Sequence, residues 1–168
     1  MLGAVHTPFQ FAKAAEGQQP RAIAVVAGGF LMNAYLQYQN YTAVLEKLGC
    51  STVPFTDPSS IFGPRDPSQG ATILLDYLES SAFEFRKDRS LPLVLVGHSR
   101  GCKTCVAAAA QTNRRVAALV LIDPVDKTNK DPSTVLPELE KLKVPAAILG
   151  SGVSLEDCAP TDSNYLRF

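Results

Sequence analysis

The chain is 168 residues long, with 16 basic and 16 acidic side chains and hence no formal net charge. Apolar residues make up 46% and charged residues 19%, ordinary values for a globular domain, and a chain of this size can bury roughly two-thirds of its unfolded surface around one core. Charge balance gives no electrostatic reason to expect nucleic acid, no apolar run approaches the roughly 20 residues of a transmembrane helix, and four cysteines are too sparse for a disulfide scaffold.

In chain order, residues 1–20 carry neither the basic start and apolar core of a secretory signal nor the Arg and Ser richness of a transit peptide. A loosely structured segment is expected there, ahead of one domain that spans the rest of 1–168. With no targeting signal readable and few cysteines, a cytoplasmic, reducing compartment is the default. AIAVVA at 22–27 predicts the first strand, followed by Gly28-Gly29-Phe30-Leu31 and a helix over 34–48. A second strand is expected at 51–55, then a Pro- and Gly-rich loop at 56–67 on the functional edge of the sheet. Asp66 as cap and Pro67 in the first turn open a helix over 67–85. LPLVLV at 91–96, a helix over 101–113, VAALVLI at 116–122, a short helix over 133–142 and VPAAIL at 144–149 complete the series.

The strands are nearly continuous in apolarity, as parallel strands covered on both faces must be. Their alternation with helices predicts an α/β fold with a doubly wound, mostly parallel sheet in three α-β-α layers and right-handed crossovers.

The sharpest chemical signal is Gly97-His98-Ser99-Arg100-Gly101, between a strand and a helix. In that context G-x-S-x-G is a nucleophile elbow. The tight turn exposes the Ser99 hydroxyl, the flanking glycines let backbone approach closely, and the helix start stabilises negative charge. Acyl transfer also needs an oxyanion hole. Its donors are expected to be the backbone N–H groups of Arg100, which follows the serine, and Phe30, in the glycine-rich exit of the first strand. Asp123, at the end of the next strand, is the expected acid, since catalytic groups collect at strand C-termini. Glu156 and Asp157, after the last strand, are the rival location.

No histidine follows His98, so the order Ser, acid, His of this architecture is incomplete within these residues. His98 adjoins the serine and is expected to point away from the position of a base. His6 lies in the loose N-terminal segment. Cys102-Lys103-Thr104-Cys105 is a CxxC sequence, which raises a thiol redox alternative. Its first cysteine falls inside the helix rather than at the cap, and packing is the favoured reading for this pair as for Cys50 and Cys158. No metal site is expected.

The segment from Gly97 to Lys103 and Ile122-Asp123-Pro124-Val125-Asp126 together resemble the chlorophyllase branch of the α/β-hydrolases. Weaker likeness lies in Gly28-Gly29-Phe30-Leu31 and in Cys158-Ala159-Pro160 followed by Asn164. Two departures stand out: Gly28 replaces a histidine, and Cys102 replaces a glycine. The resemblance implies an α/β-hydrolase fold lacking, after the strand at 144–149, the last strand and helix that carry the family's catalytic histidine. It further implies hydrolysis of the phytyl ester of chlorophyll without metal or organic cofactor, Ser99 as nucleophile, Asp123 as acid, and a chloroplast location. A non-catalytic hydrolase-like protein is the alternative.

Overall fold

The computed structural model describes residues 19–29, 32, 34–57, 66–127, 132–150 and 168. Five strands, β1 (Ala22–Ala27), β2 (Cys50–Phe55), β3 (Leu93–His98), β4 (Val116–Ile122) and β5 (Ala146–Leu149), form one sheet in the order β2-β1-β3-β4-β5. Every neighbouring pair is parallel. The helices are α1 (Ala34–Gln37), α2 (Gln39–Lys47), α3 (Pro67–Glu79), α4 (Gly101–Gln111) and α5 (Leu136–Lys141).

Because strand side chains alternate between faces, the sheet packs apolar side chains on both sides. Ile23, Val25, Leu93, Leu95, Leu119 and Leu121 point to one face and pack with Leu74 and Leu78 of α3 and Cys105 and Val106 of α4. Val26 and Val96 point to the other, where Ala34 and Tyr38 cover them. The result is the expected three layers. Cover thins toward the β5 edge, where all four strand residues are exposed, Ile148 and Leu149 among them.

Several element bounds differ from the sequence reading, each for a local reason. The single helix expected over 34–48 is broken at Tyr38, whose backbone leaves helical geometry (φ −114°, ψ 21°). The helix expected to reach Phe85 stops at Glu79. Ser80 turns extended, its own N–H and hydroxyl both donate to the Tyr77 carbonyl, and Tyr77, Phe83 and Phe85 then pack as an aromatic group. β5 starts only after Pro145, which lacks the N–H a ladder needs. At the start of α3, Asp66 accepts from the Ser68 N–H at 2.9 Å, with Pro67 in the first turn as the sequence suggested. Residues 1–18, most of the 56–67 loop and 151–167 lie outside the described residues, and with them His6, Glu156, Asp157 and Cys158.

The layered packing makes a stability contrast testable. Leu95, fully buried in the larger cluster, should cost about 2–5 kcal/mol as Leu95→Ala, because a cavity remains in a core that cannot collapse freely. Leu36→Ala, at a residue 64% exposed, should stay within about 0.5 kcal/mol. Urea unfolding of the two variants against the parent checks both.

Candidate active site

Ser99 leaves β3 and precedes α4, with φ at +53°, a left-handed value rare for a residue carrying a side chain. Arg100 is already helical (φ −59°, ψ −29°) and caps α4, so the chain turns from strand to helix within two residues. Steric room for that turn comes from the glycines on either side. A Cβ on Gly97 would lie 2.5 Å from the Cys102 Cα, and one on Gly101 would overlap the Ala27 carbonyl oxygen and come within 2.7 Å of the Gly28 carbonyl oxygen. These are backbone atoms of α4 and of the β1 exit, which cannot swing aside as a flexible side chain can.

The Ser99 N–H donates to the Ile122 carbonyl at 2.9 Å, and the Cys102 thiol donates to the same oxygen at 3.5 Å. Ile122 ends β4, so the elbow is tied to the strand whose next residue is Asp123. Asp123 also adopts positive φ, +43°, and its N–H donates to the Leu149 carbonyl at 2.7 Å. Ser99 and Asp123 therefore occupy the same edge of the sheet at the ends of adjacent strands, which run about 5 Å apart. Both are half-buried.

The turn after Asp123 is held by two buried charged residues that sequence reading did not single out as site residues. Asp126, 2% exposed, accepts from the Thr134 hydroxyl at 2.7 Å and the Val135 N–H at 2.9 Å. Lys103, 1% exposed on α4, donates from Nζ to the Ser133 carbonyl at 2.7 Å and to its hydroxyl at 2.8 Å. Segment 133–135 thus bridges the helix that follows Ser99 and the loop that follows Asp123. A lysine directly after a CxxC cysteine, and the second aspartate of DPVD, were the available sequence signals.

His98 turns its Nδ1 to the Tyr38 hydroxyl at 2.6 Å. Among the described residues no hydrogen bond joins it to the Ser99 hydroxyl. Burial pushes the His98 pKa down, with the Asp123 charge pulling the other way. Tyr38 also receives the Gly29 N–H at 3.3 Å. Gly29 backs directly on the elbow, since a Cβ there would lie 3.1 Å from the Ser99 Cβ. Phe30, the expected second oxyanion donor, lies outside the described residues.

The CxxC pair faces inward. Cys102 and Cys105 are fully buried, and desolvation raises the Cys102 pKa well above its ordinary value and pushes Cys105 up to about 12. A reactive dithiol needs the opposite, a depressed pKa and exposure.

An open parallel sheet whose serine turns left-handed at a strand-to-helix corner defines the α/β-hydrolase class, and solved structures share the fold. Est1E from Butyrivibrio proteoclasticus aligns over 88% of this chain and 76% of its own, with TM-score 0.64 at 14% identity. MenH from S. aureus aligns over 71% and 43%, with TM-score 0.55 at 18% identity. Within that class the chain belongs to the chlorophyllase family, a family of ester hydrolases, whose family model matches residues 76–168. Chlorophyllase-1 of Arabidopsis thaliana is 40% identical over 92 residues, covering 44% of this chain and 28% of the relative. Chlorophyllase-2 of the same plant is 29% identical over 166 residues, covering 82% of this chain and 52% of the relative. The chain therefore spans about half, or less, of the length of these two relatives.

Two measurements probe this geometry. Gly101→Ala should lower stability by about 3 kcal/mol through overpacking against backbone, roughly a 6–12 °C fall in melting temperature at this size. For the thiols, the folded pKa of Cys105 (about 12) lies above its ordinary value of 9.0. The stabilisation it brings is complete below pH 9 and is lost as pH rises toward 12. Urea midpoints should fall across that window, less steeply in Cys105→Ala, and iodoacetamide at pH 8 should leave Cys102 and Cys105 of the folded protein unmodified.

Proposed function

We propose that this chain carries the nucleophile half of a serine carboxylic-ester hydrolase active site, and that the ester is the phytyl ester of chlorophyll. The observation that carries the reading is the +53° φ of Ser99 between β3 and α4. Backbone strain of this kind costs about 1–3 kcal/mol and persists where the surroundings enforce it, commonly at functional sites.

In this reading the Ser99 oxygen attacks the ester carbonyl, the alcohol leaves, and water releases the acid from the acyl-serine. Developing negative charge on the carbonyl oxygen is met by the N–H of Arg100, the residue after the serine at the start of α4. The second donor is Phe30. Support for it comes from the β1 exit, where the two preceding N–H groups are taken: Gly28 donates to the Phe55 carbonyl and Gly29 to the Tyr38 hydroxyl. Asp123 orients a histidine that moves the proton. No histidine follows His98 in these 168 residues, and His98 Nδ1 is engaged by Tyr38, so neither a histidine after the acid nor His98 supplies that base within them. The family membership supports the substrate class, a small-molecule ester, and a chloroplast location. Among the described residues no helix is long and apolar enough to cross a membrane.

The non-catalytic alternative would keep the fold and lose the chemistry. The buried, high-pKa thiols do not favour the redox alternative.

Without its base the triad retains only a small residue of catalysis. The 168-residue chain should hydrolyse an activated short-chain ester several orders of magnitude below the roughly 1–1,000 s⁻¹ of ordinary enzymes. Added imidazole, standing in for the missing side chain, should raise the rate in the parent but not in Ser99→Ala once its own solution reaction is subtracted. Equal rates in the two proteins under imidazole would favour the non-catalytic alternative. Turnover near 1 s⁻¹ without imidazole, lost in Ser99→Ala, would reveal a base within the chain, with His6 the first residue to substitute. Release of chlorophyllide from chlorophyll under the same rescue tests the substrate.

A further inference from the structure

Tyr38 interrupts the helix expected over 34–48, and its hydroxyl meets groups from two other segments. It receives the Gly29 N–H at 3.3 Å, stands 2.6 Å from His98 Nδ1, and lies 3.1 Å from Met32 Sδ. The residue is 4% exposed, and its ring packs against the His98 ring at 5.5 Å between centroids. Gly29 in turn fits between this pair and the elbow, because a Cβ on it would meet Ser99 Cβ at 3.1 Å and His98 Nδ1 at 3.2 Å.

A phenol hydroxyl has one proton to donate and two lone pairs to accept with. The Gly29 N–H can only donate, so it uses one lone pair. The single proton is then contested between a thioether sulfur, a weak acceptor, and an imidazole nitrogen, a strong one. At 2.6 Å the contact with Nδ1 is short enough to be a well-formed O–H···N bond, and the imidazole is the stronger of the two acceptors. That donation requires a neutral ring with its own proton on Nε2; the converse, Nδ1–H donating to the second lone pair with the phenol proton on Met32 Sδ, uses the weaker acceptor.

We propose that Tyr38 is a positioning residue for the Ser99 site: its hydroxyl ties the Gly28–Gly29 exit of β1 to the imidazole preceding Ser99 and fixes that imidazole as the Nε2–H tautomer. The consequence for chemistry lies in the β1 exit. Gly29 is held against the elbow beside Ser99, and groups that stabilise developing charge do so best when the site need not reorganise. The positioning role rests on the hydrolase reading proposed above, whereas the hydroxyl tie does not.

Ring nitrogen NMR and amide exchange on the 168-residue protein test it. The parent should show His98 with unprotonated, hydrogen-bonded Nδ1 and protonated Nε2. Tyr38→Phe keeps the buried ring and removes only the hydroxyl. It should let the tautomers mix and speed Gly29 amide exchange roughly three- to tenfold, the worth of one hydrogen bond. Met32→Leu should change neither. An Nδ1–H tautomer in the parent, unchanged Gly29 exchange in Tyr38→Phe, or a tautomer shift in Met32→Leu would each overturn the tie. Should Tyr38→Phe fail to fold, the parent spectrum and Met32→Leu still decide. Under imidazole rescue, the Ser99-dependent kcat should fall in Tyr38→Phe with KM nearly unchanged. An unchanged kcat would overturn the positioning role and leave the hydrolase reading intact. Ester hydrolysis indifferent to Ser99, with the NMR signature present, would overturn the hydrolase reading and leave the tie.

Discussion

Backbone meets backbone at van der Waals distance where α4 lies across the end of β1, and only glycine permits it. Gly101 sits against the carbonyls of Ala27 and Gly28, Gly97 against the first residues of α4, and Gly29 against Ser99 and His98. If α4 stood off by the width of a methyl group, Ser99 would not be forced into its left-handed turn, and its N–H would lose the Ile122 carbonyl. Buried α4 residues, including Cys105, Val106 and Ala108, would also leave the apolar cluster that joins them to β1, β3 and β4. Strain at one residue, about 1–3 kcal/mol, is thus offset by burial spread over a whole helix.

A second arrangement holds the neighbouring strand end. Among the described residues Asp123 carries the other positive φ outside glycine, a conformation that aspartate tolerates better than most residues because its short polar side chain bonds locally. Lys103 and Asp126 would be costly to bury unpaired. Their hydrogen bonds to Ser133, Thr134 and Val135 bring the 133–135 segment onto α4 and onto the turn below Asp123. The two strand ends are thereby coupled through polar contacts as well as through the ladder, which fixes their separation more firmly than apolar packing alone.

Much of this architecture was legible in the sequence, because buried parallel strands announce themselves by unbroken apolarity. β1 and β4 run over the expected residues, and the serine motif stood in a strand-to-helix context that already implied its turn. The break at Tyr38 was not legible. Local propensity there favours one continuous helix, and the competing interaction is with Gly29 and His98, the latter 60 positions away. For the same reason the polar roles of Lys103 and Asp126 were hidden: a pattern records periodicity, whereas these residues answer to partners brought near by the fold. The weaker prediction at β5 has another cause. Its residues are as apolar as a buried strand, yet all four are exposed, so composition alone did not indicate how much cover that edge receives.

Strand order carries a consequence for the way this chain is made. β1 occupies an interior position in the sheet between β2 and β3, and all six of its residues are buried. β2 emerges from the ribosome soon after β1, but Leu93 opens β3 some 66 residues beyond Ala27. At roughly 5–20 residues per second, β1 waits about 3–13 s for its second partner. Throughout that interval a wholly apolar segment has one of its two rows of backbone donors and acceptors unpaired by this chain. Slowing translation between β2 and β3 therefore prolongs the period in which this apolar segment lacks its second partner.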